Sequence, residues 1–140
     1  MGNNGNNRSL VDTSQQVSTA LPAAAASASS ASLDLGFNRN RDENVEVEIA
    51  VDLTTILVDT KDIDLTLQMS SDNAVADAFV DVPEFADPVL KVTSAGTGNP
   101  ETKLQIRLPR STERYIRVSA AVETGGGDVT GSNFHLRLLF

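Results

Sequence analysis

Catalysis and metal binding need particular side chains in groups, and this sequence offers few such groups. His135 is the only histidine. As a general base it would need an orienting carboxylate and a nucleophile on a strained turn. No G-x-S-x-G stretch is present. Asp59, Asp62 and Asp64 form D-T-K-D-I-D, and clustered carboxylate oxygens are the ligands of Ca²⁺. Lys61 interrupts the cluster, no glycine makes the turn, and the ligand spacing of a calcium loop is missing. The stretch reads as the solvated start of a strand. Glu46, Glu48 and Asp52 share one face of another stretch. Two carboxyls about 5 to 10 Å apart in a cleft define a glycosidase pair, but a plain solvated face explains these residues as well. Gly125-Gly126-Gly127 would cradle a phosphate only by feeding a helix N-terminus. A strand pattern follows it instead, so a hairpin turn with positive φ is expected.

The composition removes further classes. With no cysteine, no disulfide, thiolate metal site or cysteine nucleophile is available. A cupin-type enzyme would need several histidine ligands. No catalytic residue, metal or cofactor is expected. A formal net charge of −8 argues against nucleic acid, which selects basic surfaces, and against anionic membranes. No apolar run approaches the roughly 18 residues of a membrane span. The polar start, Met1 to Asn7, is not a signal peptide. Met1-Gly2 opens like a myristoylation site, but Asn6 stands where Ser or Thr is required.

The elements behind these residues are strands. Val45, Val47, Ile49 and Val51 alternate with Glu46, Glu48, Ala50 and Asp52. The same period of two runs through Ile63 to Ser70, Lys103 to Leu108, Ile116 to Glu123 and Phe134 to Phe140. Shorter strands are expected at Phe79 to Val82 and Val89 to Thr93. Turns at Ser71 to Asn73, Gly96 to Pro100, Pro109 to Thr112 and Gly125 to Asp128 separate the runs. Together they predict about eight or nine short strands, the spacing of a sandwich or barrel. No fixed-period repeat is visible.

Two other segments point to partners. Met1 to Ser32 reads as a flexible N-terminal arm, with the Ala/Ser run Ala23 to Ser32 as a flexible or extended connector, a helical turn being the alternative, and residues 33–140 as the folded domain. The arm carries Leu10, Val11, Val17 and Leu21, which must find burial somewhere. In the last strand, Leu138-Leu139-Phe140 is apolar on both faces, and a second apolar face calls for a partner. Arg107, Arg110, Arg114, Arg117 and Arg137 gather in the C-terminal third, against an acidic front half. Arginine forks favour interfaces, although surface ion pairs explain such residues equally well.

Three stretches then resemble a known family. They are Leu33-Asp34-Leu35-Gly36; LQMSSDNA over Leu67 to Ala74; and LPRSTERYIRVSAAVETGGGDVTGSNFHLRLLF over Leu108 to Phe140. Their order and spacing are similar to the capsid cement, or decoration, proteins of short-tailed phages of the Bordetella-phage type. The resemblance spans roughly Leu10 to Phe140. The connector and the turns at Glu84 to Pro88 and Thr97 to Thr102 look expanded. The resemblance implies a jelly-roll sandwich that forms a homotrimer and performs no chemistry. It implies binding to the major capsid protein on the outer surface of the virion. Leu10, Val11, Val17, Leu21, Arg114, Tyr115, Arg117, Leu139 and Phe140 are then the candidate trimer or capsid interface. The other reading is a ligand- or carbohydrate-binding sandwich used in host attachment. One tyrosine, no tryptophan and phenylalanines mostly at core parity equip the chain poorly for stacking sugars.

Overall fold

A computed structural model describes residues 11–36, 45–54, 57–85, 87–94 and 102–139. Ten strands run along them: β1 (Val11–Ala20), β2 (Ser27–Ser29), β3 (Leu33–Asp34), β4 (Glu46–Asp52), β5 (Asp62–Ser70), β6 (Val80–Asp81), β7 (Leu90–Thr93), β8 (Thr102–Arg107), β9 (Tyr115–Val122) and β10 (Asn133–Leu139). No helix occurs among the described residues. The five long alternating runs are β4, β5, β8, β9 and β10.

The strands form two antiparallel sheets. The first has the order β1-β10-β4-β8. In the second, β2 and β3 both pair with one side of β9, β9 pairs with β5, and β6 and β7 both pair with the far side of β5. Taking β2 with β3, and β6 with β7, as interrupted strands reduces ten strands to eight positions. The pairing is then nested: β1 with β10, β2/β3 with β9, β4 with β8, β5 with β6/β7. That is one long antiparallel hairpin rolled over on itself, closed by β10–β4 in one sheet and β9–β5 in the other. The protein is an all-β jelly-roll sandwich.

The alternation explains the core. Val47, Ile49 and Val51 of β4 and Phe134 and Leu136 of β10 point inward from the first sheet. Ile63, Leu65 and Leu67 of β5 and Ile116, Val118 and Ala120 of β9 meet them from the second, in one buried cluster. Each of the larger side chains taken from water contributes about 1.5–3 kcal/mol. This cluster is where the scarcity of aromatics is made good: Phe134 is the one ring among its buried residues, and Val, Leu and Ile fill most of the rest, with Met69 and Ala120.

Two expectations change on contact with the structure. Part of the arm and connector is built into the sandwich. Residues 11–20 pair with β10 as the edge of the first sheet, with a register shift between Val11 and Gln16. Within the Ala/Ser run, Ser27–Ser29 pair with Ala121–Ser119 of β9. Small side chains lie close on a strand, and backbone pairing needs no apolar alternation. Second, Gly125–Gly127 is not a hairpin turn. It leads from β9 in one sheet to β10 in the other, so it is an arch between sheets. Gly125 and Gly127 do have positive φ, at 84° and 86°. Gly126 is glycine for another reason: a Cβ there would lie 3.0 Å from both Glu123 O and Val122 Cγ1.

Candidate functional site

The outward residues of β5 and β9 make the face that carries three of the nine predicted interface residues, Arg114, Tyr115 and Arg117. At one end, β9 turns out Tyr115 and Arg117 while Ile116 and Val118 enter the core. Arg117 pairs in register with Gln68 and donates from Nε to its Oε1 at 2.9 Å. Its guanidinium lies 4.3 Å from the centre of the Phe79 ring, a cation–π contact. Arg114 precedes the strand. Its Nε and Nη2 grip the two oxygens of Asp34 at 2.7 and 2.9 Å, and it also lies 5.2 Å from the Tyr115 ring centre. Those bonds hold the Asp34 carboxyl below its ordinary range and push Arg114 up.

The other end of the same face is acidic. Asp62, Asp64, Lys91, Ala121, Val122 and Glu123 line a shallow depression of 310 Å³. Thr93 Oγ1 donates to Asp62 at 2.6 Å, and Lys91 Nζ lies 3.3 Å from Asp62 and 3.0 Å from Asp64. The threonine bond first, then Lys91, lowers the Asp62 carboxyl, and the carboxylates raise Lys91. Lys91 therefore occupies the place a cation would take. Among the described residues no group of three or more His, Asp or Glu side chains is set to hold a metal ion. Between the two ends lie Thr66 and Ser119, paired across the strands. Arg117 and Ala121 are about 13 Å apart along β9 at a strand's usual rise.

The opposite sheet shows a different arrangement. Glu48, expected on a solvated face, is only 5% exposed. β4 lies between β10 and β8, and side chains from both neighbours close over it. Arg137 Nε is 3.3 Å from one carboxylate oxygen of Glu48, and Gln105 Nε2 donates to the other at 3.1 Å. Each oxygen therefore faces a side chain from a neighbouring strand, which fixes the carboxylate in place over the sheet. His135 lies outward beside this pair, across from Ser18 on β1 and Ala50 on β4. Burial, and then Arg137, push its imidazole below the usual histidine range.

The remaining predicted interface residues scatter. Leu21 is in the core of its own sandwich at 2% exposure, and Val17 packs against that core. Val11 pairs with Leu139 at the end of β1 and β10. Leu139 is half-buried while Leu138 is in the core, as parity requires. Leu10 and Phe140 lie outside the described residues. Among the described residues, Arg114, Tyr115 and Arg117 come together as one patch, and Val11 and Leu139 as a separate backbone pair. Sequence reasoning missed Phe79, Gln68 and Asp34 as their partners, because each lies far along the chain and nothing local announces the contact.

No family model and no curated protein matches this chain. Nine solved chains are similar to it in structure. One is "Family 16 Carbohydrate Binding Module-2", with a TM-score of 0.35 and 11% sequence identity, covering 84% of this chain and 71% of that one. The class that the strand order defines is the jelly-roll β-sandwich.

Proposed function

We propose that this chain is a decoration protein that binds the outside of a phage capsid as a homotrimer. It stabilises contacts between major capsid protein subunits and performs no catalysis. The observation that carries this reading is the nested strand order, which is the fold implied by the sequence resemblance. The stretches that carry the resemblance end β5, supply β3 and supply β9 and β10, so they are spread through the roll. A trimer suits a three-fold junction, where each copy makes the same contact with one neighbour. Three joined contacts gain in effective concentration even when each is weak.

The sugar-binding reading is supported less. Stacking needs exposed aromatic faces, and here the guanidinium of Arg117 lies over Phe79 and that of Arg114 near Tyr115. Phe134 is in the core and Phe85 packs against it.

Heads with and without the protein should be heated and their DNA release compared. Release at lower temperature from heads lacking it is expected. Equal release temperatures would remove the cement role.

A further inference from the structure

The β5–β6 connection turns its polar atoms inward and its apolar ones out. Asp72 accepts from the backbone N–H groups of Val75 at 3.1 Å, Ala76 at 2.8 Å and Asp77 at 3.1 Å. Asp77 in turn accepts from the Ser71 N–H at 2.9 Å and the Ser71 hydroxyl at 2.7 Å. Ser70 Oγ accepts from the Ala74 N–H at 3.0 Å, and Ser32 Oγ ties Asn73 to the neighbouring segment at 2.7 Å. Asn73 and Ala74 are both left-handed, with φ of 60° and 67°. For alanine that conformation costs energy which the surrounding bonds must offset.

What this framework holds up is apolar. Ala74, Ala76 and Ala78 are exposed, Val75 is 85% exposed and Val80 51%. Single exposed apolar residues are ordinary, but several close together on an ordered loop are a candidate interaction surface. Charge says what fits it. Residues 71–88 carry Asp72, Asp77, Asp81, Glu84 and Asp87 and no Lys, Arg or His, so the loop stays acidic in balance even with Arg117 of β9 lying over Phe79. That is five of the chain's 19 acidic residues. A second copy's equivalent loop would meet like charge, and the depression on the β5–β9 face offers Asp62, Asp64 and Glu123.

We propose that Ala74–Val80 is a preformed docking tip that inserts Val75 into an apolar socket rimmed by Lys and Arg on the shell protein. The proposal rests on the decoration reading and names the part of the surface that makes the contact. Ordering in advance spares the tip the entropy of fixing a loop on binding. The acidic flank steers the encounter and makes it salt-sensitive.

The test uses heads of the encoding phage, stripped of the protein and offered purified wild type or variants. Val75→Glu should leave melting unchanged, since the side chain is in water, and should weaken rebinding by about tenfold or more, as loss of an interface anchor does. Asp72→Ala, with Val75 intact, should also weaken rebinding, through a loosened tip. The chain has no cysteine, so Val75→Cys provides a unique thiol, which should react freely in solution and be shielded on heads. Wild type and Val75→Glu rebinding equally, or a thiol equally reactive in both states, would overturn the docking tip alone. Val75→Glu changing the oligomeric state of the free protein would also overturn it, assigning the tip to contacts between copies. Wild type failing to rebind would overturn the decoration reading and this one with it.

Discussion

Glu48 and Arg137 show how a largely buried ion pair differs from several exposed ones. Glu48 lies over the centre of the first sheet, where little water screens it. Removing Arg137 leaves this carboxylate with Gln105 as its hydrogen-bond partner, a loss of about 1–3 kcal/mol. Arg137→Ala should therefore lower the melting temperature. Asp34→Ala breaks an exposed pair and should scarcely move it. His135 adds a pH dependence. Its folded pKa is lowered, by burial and then Arg137, against the opposing pull of Asp52 and Glu48. The unfolded chain takes up a proton near pH 6.5 that the folded chain refuses. This contribution is complete above that pH and is lost as pH falls below it. Thermal melts between pH 7.5 and 5 should show the decline, and His135→Asn should flatten it. The lowered carboxyls of Asp34, Asp62 and Asp128 act only further down, near and below 3.8.

Among the elements, the glycine arch offers a clean comparison. A methyl at Gly126 meets backbone and a core valine, so Gly126→Ala should destabilise by about 1–3 kcal/mol through overpacking. Nothing lies within 4 Å of a Cβ at Gly131, and Gly131→Ala should melt like wild type. Elements also explain what could be read in advance. β4, β5, β8, β9 and β10 were legible because one face of each is buried, which forces a period of two. β1 was not, since Gln, Ser and Thr carry its middle and an edge strand is held by backbone bonds that leave no pattern in side-chain type. The split of one strand position into β2/β3 was hidden for the same reason, whereas β6 and β7 were legible as two short strands within Phe79 to Val82 and Val89 to Thr93. The two splits shorten both edges of the second sheet, a protection against stray pairing. Of the candidate site, the arginines were visible as types in a row, whereas the aromatic and acidic partners that fix Arg114 and Arg117 become neighbours only once the roll closes. The turn at Ser71 to Asn73 was legible from its residues, but the bonds made by Asp72 were not.

At the level of the whole molecule, nested pairing puts most contacts between distant parts of the chain. Folding should be slow for a chain of this length, since loop closure precedes the reward of pairing. Assembly is a separate question, and Leu139 bears on it. It is half-buried at the end of β10, next to the core residue Leu138. Leu139→Glu should reduce a trimer to monomers in light scattering while keeping a cooperative melt. Leu138→Glu should instead unfold the domain. A wild-type mass of one chain at micromolar concentration would refute the trimer.

The pairing of β1 with β10 has a mechanical consequence. Val11 faces Leu139, so the outer ends of two adjacent antiparallel strands lie side by side. Tension applied between residues 11 and 139 would load the hydrogen bonds of that ladder one after another, as a zipper opens, and not all together in shear. Handles attached there should peel β1 from the sheet at low force in an optical trap. Handles at residues 20 and 139 would pull along the strands and meet the whole ladder at once. Under load between these two residues the fold would thus yield gradually at β1, with the β4, β5 and β9 core still packed behind it.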